Sequence, residues 1–167
     1  MNWTAQTYTQ SHGPDLYRRT MYTFWKRTSP PPTLATFDAP DREVCTVRRQ
    51  RTNTPLQALV LMNDPTYVEA ARKLAERLMR EAKSDKDRVT LAYRLAMERA
   101  PKPAEMKVLL ALHDEQLKAY RANGQAADNL LKVGESKRNE TLDSAELAAW
   151  TMVASTILNL DETLTKG

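Results

Sequence analysis

Two acidic side chains that lie close together are the first candidates for chemistry. Asp38 and Asp41 stand on either side of Pro40 in the run Phe37–Glu43. A pair of carboxylates can act as general acid and base or hold a cation. Aspartate beside proline is also ordinary turn chemistry, and this structural interpretation is favoured. Asp38 and Asp41 are therefore weak catalytic candidates, and the sequence leaves open whether the chain is an enzyme.

An arginine-rich stretch follows these carboxylates. The first 53 residues carry eight lysines and arginines against four acidic residues, so the formal net charge of +4 resides in this part of the chain. Two interpretations stay open. The arginines either pair with neighbouring acidic residues to fix irregular backbone, or they form an anion-binding face. The anion-binding candidates precede a predicted helix start; they are Arg42, Arg48, Arg49, Arg51 and Asn53.

Aromatic residues are concentrated in residues 15–28. Helical spacing and strand-forming residue types are mixed there, so neither a helix nor a strand is predicted. Tyr22, Phe24 and Trp25 are candidates for an interaction patch. Prolines 30–32 are expected to stop any regular element, and the segment after them shows no period.

Other residue types set limits on function. Cys45 is the sole cysteine, so no intramolecular disulfide can form, and a buried or half-buried structural role is expected for it. With two histidines and one cysteine, no ordinary zinc site can be built, and no haem-attachment motif occurs, so no metal or cofactor is expected. His113 falls in the apolar stripe of a predicted helix and is expected in the core.

Targeting signals are not recognisable in this sequence. The N-terminus has no basic region followed by an apolar one, so no signal peptide is expected and the chain as it stands would be cytoplasmic. The uncharged stretch 147–160 is too short to cross a bilayer, so no transmembrane segment is expected.

Clear helix signals begin at residue 54. Thr54-Pro55-Leu56-Gln57 is a capping box, and Asp64, Ser84 and Asp143 have the types and spacing of helix N-caps. The last predicted helix, about 144–160, is apolar nearly all round and is expected at the centre of a bundle. The sequence therefore predicts a mainly α fold of about five or six helices over 54–167, with a basic, aromatic-rich irregular extension over 1–53, together forming one structural domain.

Several runs of residues resemble a known family. They include Leu16–Thr28, Phe37–Glu43, Arg51–Leu59, Asn63-Asp64-Pro65 and, near the end, Val133–Ser136. These runs resemble the planctomycete-specific C-terminal domain of unknown function, which occurs in large proteins that also carry a cytochrome c-like module. The resemblance covers the C-terminal part of that domain and no haem module. It implies a bacterial source, a periplasmic or cell-envelope setting for full-length relatives, and an association with complex polysaccharides.

Two functional hypotheses follow. The first is a structural or interaction module of a larger envelope protein, which contacts the rest of a longer chain or another protein. The alternative is part of a site that binds a polyanion such as sulfated polysaccharide, or a hydrolase-like site, using the arginines of segment 42–51. Nucleic acid is not favoured as a partner, because a mild net charge comes without a recognised reader motif.

Overall fold

The fold is mainly α-helical, as the sequence predicts. The computed structural model describes residues 8–26, 28–40, 44–48 and 52–165. Within these residues the structure contains eight α-helices, six of them at least seven residues long, and no β-strand. The N-terminal region is irregular, in agreement with the predicted fold class.

The chain divides into two compact units. The first unit covers Met1–Gln57 and the second covers Ala58–Gly167. Each unit is described by itself below, and the domain boundary predicted between residues 53 and 54 stays a prediction. No helix in the described part of the chain is both long enough and apolar enough to cross a membrane.

The first unit consists mostly of turns. Residues Gly13–Tyr17 and Thr20–Tyr22 form short 3₁₀ helices, and helix α1 covers Pro32–Thr36. The expectation that the segment after the prolines is irregular is therefore wrong over Pro32–Thr36. Pro32 occupies the first turn of α1, where proline is tolerated because the N–H group it lacks would have no partner inside the helix.

Helix α2 (Pro55–Asn63) begins at the predicted capping box. The Gln57 N–H donates to Thr54 Oγ1 at 3.3 Å, and the Thr54 N–H donates to Gln57 Oε1 at 3.0 Å. Two of the unpaired N–H groups at this helix start are thereby satisfied by residues three positions apart. Local sequence alone is enough to fix this end of the helix.

The second unit is a helical bundle. Its helices are α3 (Pro65–Glu81), α4 (Asp85–Met97), α5 (Pro103–Ala122), α6 (Gly124–Leu131), α7 (Ser144–Leu158) and the single turn α8 (Asp161–Leu164). Three predicted N-caps are confirmed: the Asp64, Ser84 and Asp143 side chains accept backbone N–H groups at 2.8, 3.2 and 2.9 Å. These caps satisfy donors that would otherwise be unpaired.

Helix α7 occupies the centre of the bundle. It packs against α3, α4, α5, α6 and α8. Trp150, Val153 and Ile157 are fully buried, and so are Ala148, Ala149 and Ala154, while Ser155 is half-buried and Thr156 is exposed. The prediction of a central apolar helix is therefore confirmed, and its buried side chains form a large part of the hydrophobic core.

Candidate functional site

Asp38 belongs to a hydrogen-bond network in the first unit. Its carboxylate accepts the Thr52 N–H at 2.8 Å and the Thr52 hydroxyl at 2.8 and 2.9 Å. Gln57 Nε2 donates to Thr52 Oγ1 at 3.0 Å and to the Thr36 carbonyl at 2.9 Å, and lies 3.4 Å from Asp38 Oδ2. Asp38 and Gln57 therefore join α1 to the start of α2, and this network favours the turn interpretation of Asp38.

The backbone at Asp38 is unusual. Its φ is +57°, in the left-handed region that non-glycine residues seldom adopt, although aspartate tolerates it better than most residues. The side-chain bonds to Thr52 offset the cost of this conformation by holding the residue in place. Asp41, the second candidate carboxylate, lies outside the described residues, so the structure does not show whether the two approach each other.

The anion-binding candidates are described only in part. Arg42, Arg49 and Arg51 lie outside the described residues. Arg48 is exposed and forms no ion pair with any residue that the structure describes. Asn53 is also exposed, one residue before the capping threonine of α2. The convergence of these side chains on one anion therefore stays a prediction.

Apolar side chains in the aromatic segment are strongly exposed. Tyr22 is 63% exposed and Phe24 is 83% exposed, while the third predicted patch residue, Trp25, is half-buried. Tyr17 and Met21, which were not among the predicted patch residues, are 54% and 65% exposed. Four large apolar groups thus reach solvent within eight residues, an arrangement typical of an interaction surface.

Cys45 corrects one expectation. The sequence predicts a buried or half-buried residue, whereas Cys45 is exposed, between the exposed side chains of Val44 and Val47. A segment without a hydrophobic period gives no signal for burial, so residue type alone was a poor guide here. Among the described residues, no group of three or more His, Cys, Asp and Glu side chains could hold a metal ion.

The loop after α6 is held by a buried carboxylate on α3. Glu69 is 3% exposed and accepts the N–H groups of Glu135 at 2.7 Å and of Ser136 at 3.1 Å. Gly134, just before them, has a φ of +92°, and a Cβ atom placed on it would lie 2.6 Å from Glu69 Cβ. Glycine is therefore required for this close approach of loop and helix.

Arg72 also holds the loop after α6 against α3. Arg72 is 1% exposed; it donates to the Ser136 carbonyl at 2.7 Å and to Glu76 at 3.1 Å. The Asn139 N–H in turn donates to Glu76 Oε1 at 3.1 Å. Buried charges on α3 are thus paired with each other and with loop backbone, the condition under which burying them is tolerated. This cluster positions a loop and places no reactive group at the surface.

A second charged cluster forms around Arg99, just after the end of α4. Arg99 donates to both Glu105 oxygens, at 2.7 and 2.9 Å, and to Glu162 at 2.7 Å. Hydrogen bonds from Arg99 hold the pKa of Glu105 at about 2 and also lower the pKa of Glu162. The same bonds raise the pKa of Arg99. The cluster joins α5 to α8 through ion pairs.

His113 lies in the core as predicted. It is 3% exposed, and its ring centroid is 4.4 Å from that of the fully buried Trp150. The Arg88 guanidinium lies 5.4 Å from the Trp150 ring centroid, so the indole has an aromatic neighbour and a cationic one. A histidine in this setting contributes packing, and no substrate group can reach it without opening the bundle.

A groove of about 280 Å³ lies on the bundle between α3, α6 and α7. Its lining includes Val68, Leu130, Met152 and Ser155 and contains no charged side chain. The volume is slightly below the ~300–1,000 Å³ that is usual for small-molecule sites, and no titratable group faces into it. Its polar groups are the hydroxyls of Thr151, Ser155 and Thr156 and the amide of Asn159, so the groove offers no general acid or base.

Comparison with known proteins gives a family and no activity. A family model described as PSD1, protein of unknown function (DUF1553), matches residues 2–113, about two thirds of the chain. No curated protein and no solved structure matches the chain significantly. The matched residues include the whole first unit except Met1 and end within α5, whereas the bundle continues through α7.

Proposed function

Because the chain belongs to the PSD1 (DUF1553) family of proteins of unknown function, its role must be inferred from its own surface, and we propose that it is a structural or interaction module. In this proposal it forms the C-terminal part of a larger planctomycete protein of the periplasm or cell envelope. The first unit contacts the rest of that protein or another chain. The bundle serves as the stable support.

The distribution of exposed apolar side chains carries this proposal. Of twelve large apolar side chains exposed in the described part of the chain, eight lie in the first unit, which is about half the length of the second. They are Tyr8, Tyr17, Met21, Tyr22, Phe24, Val44, Val47 and Leu56. The remaining four, Leu59, Met62, Leu95 and Val108, lie in the second unit, where exposed apolar residues are sparser. A strong local concentration of exposed apolar groups supports a surface that a partner covers.

The exposed cysteine provides a direct test. Cys45 lies among exposed apolar residues of the first unit and is the sole cysteine of this sequence, so maleimide labelling of the peptide that contains it, read by mass spectrometry, reports on that segment. We expect rapid labelling of Cys45 in the isolated recombinant chain and at least tenfold slower labelling in native envelope fractions. Slower labelling would mean that a partner covers the segment in the cell.

A matched control separates coverage from general loss of access. Lys107 is exposed on α5 of the bundle, so K107C in a C45S chain should label at similar rates in both preparations. An immunoblot of the same fractions should show an envelope band well above 19.0 kDa. Equal labelling of Cys45 in the two preparations, together with a free cytoplasmic band of 19.0 kDa, would reject the proposed function.

Polyanion binding stays a second candidate. The observation that favours it is the exposed guanidinium of Arg48, which has no ion partner among the described residues and lies close in sequence to Arg42, Arg49 and Arg51. At low salt, dextran sulfate but not dextran should then raise the melting temperature of the chain. R48A should reduce that increase, while R121A on the bundle should not. The absence of any stabilisation by dextran sulfate would exclude this candidate.

A further inference from the structure

The charges around the exposed apolar side chains specify the chemistry of the partner. We infer that the first unit docks on an acidic and apolar protein segment, in which carboxylates are interspersed with apolar side chains. This inference rests on the proposed function, since it assumes that a partner covers the first unit. It adds the kind of surface which that partner presents.

Two exposed arginines in the first unit have no carboxylate partner among the residues that the structure describes. Neither Arg19 nor Arg48 forms an ion pair with a described residue. The two described acidic residues of this unit are engaged elsewhere: Asp15 pairs with Arg18 at 2.8 Å, and Asp38 accepts hydrogen bonds from Thr52. The unit therefore presents cationic groups that its own described acidic residues do not neutralise.

Most arginines of the bundle, in contrast, are ion-paired. Their partners are bundle carboxylates at 3.3 Å or less; the paired arginines are Arg72, Arg77, Arg80, Arg88, Arg99 and Arg138. In the bundle, carboxylates of the same chain thus balance the charge of most guanidinium groups. Arg94 and Arg121 of the bundle also form no ion pair with a described residue. The lone arginines of the first unit differ in their neighbours, since Tyr22 and Val47 are 63% and 104% exposed whereas Leu95 beside Arg94 is 38% exposed.

Each lone arginine lies beside highly exposed apolar groups. The Tyr22 N–H donates to the Arg19 carbonyl at 2.9 Å, so these two residues share one 3₁₀ turn, with Met21 between them. Arg48 directly follows Val47, which is fully exposed. A partner that covers these apolar groups must also remove water from the neighbouring guanidinium groups.

The cost of that desolvation selects the partner. A neutral apolar partner would leave buried, unpaired cations, which is strongly unfavourable. Carboxylates placed opposite the arginines would form bidentate pairs and offset the loss of hydration. A protein can place single carboxylates opposite Arg19 and Arg48. A uniformly anionic membrane would also repel Asp15, whose side chain is 56% exposed in the same segment.

Photo-crosslinking in the source cells tests this inference. A photoreactive p-benzoylphenylalanine in place of Tyr17 lies near Arg19, and mass spectrometry of the adduct identifies the partner peptide. We expect a protein adduct whose peptide contains several Asp or Glu residues. Reversing both charges (R19E with R48E) should lower the adduct yield about tenfold or more. The matched bundle variant R121E should leave it unchanged, and circular dichroism should show that all variants fold.

The outcomes separate the inference from the function on which it rests. A protein adduct without carboxylates, or a yield that charge reversal does not change, would overturn the acidic partner while the proposed module role stands. An adduct with lipid or polysaccharide would replace the protein partner with that class and overturn both. The absence of any adduct, combined with free labelling of Cys45 in native fractions, would also overturn both.

Discussion

Replacing Gly134 by alanine tests the attachment of the loop after α6 to helix α3. The new methyl group would lie 2.6 Å from Glu69 Cβ and 2.7 Å from Glu69 Cδ, distances that real Cβ atoms do not show. Glu69 is buried on α3, so its side chain cannot turn away into solvent without leaving its two N–H partners. The substitution should therefore break the attachment instead of adjusting it.

The expected loss of stability has two parts. Alanine at a φ of +92° costs about 1–2 kcal/mol in backbone strain. Displacing the Glu69 carboxylate from the N–H groups of Glu135 and Ser136 removes charge-assisted hydrogen bonds that contribute about 1.5–3 kcal/mol each. Because the loop can relax partly, we expect a decrease of about 3–5 kcal/mol in the free energy of unfolding, a large share of an ordinary domain's stability.

Urea unfolding followed by circular dichroism measures this loss, and a second glycine provides the control. A Cβ on Gly124 meets nothing within 4 Å, and its backbone is not in the positive-φ region. G124A should therefore be neutral or slightly stabilising, because alanine favours helix. Combining G134A with E69A should cost less than the sum of the single substitutions. A loss below about 1 kcal/mol for G134A would refute the clash on which this reasoning depends.

Three further perturbations address other parts of the chain. The depressed pKa of Glu105, about 2 against an ordinary 4.5, means that its pairing with Arg99 stabilises the fold above about pH 4.5 and is lost as the pH falls towards 2. E105Q should therefore make the fall in unfolding free energy between those pH values shallower in acid titrations. W150A should lower the unfolding free energy by about 3–5 kcal/mol in urea, because it empties the centre of the bundle; an unchanged midpoint would contradict the described core. D38A should accelerate hydrogen exchange at the Thr52 amide, while bundle amides keep their rates.

The helices of the bundle could be predicted because their signals are local. Thr54, Asp64, Ser84 and Asp143 cap N–H groups two or three residues away, so a short window of sequence contains the whole interaction. The central position of α7 also follows from its own composition. A central position removes its many apolar residues from water.

Long-range polar contacts were beyond sequence reasoning. Asp38 finds Thr52 fourteen residues away, and Glu69 finds backbone N–H groups 66 and 67 residues away. One signal was present, since Glu69 and Arg72 stand three residues apart beside the apolar stripe of α3, where paired charges can be buried. Nothing in that spacing identifies the loop that supplies their partners.

The order of the helices along the chain has a consequence for biosynthesis. Helix α7 is the centre of the bundle but leaves the ribosome only after α3 to α6 have all been made. At about 5–20 residues per second, the interval between completion of α3 and completion of α7 is on the order of ten seconds. Throughout that interval the apolar faces that α7 will cover stay open to other nascent chains and to chaperones. A polypeptide truncated before residue 144 would therefore lack α7, the helix against which α3 to α6 pack.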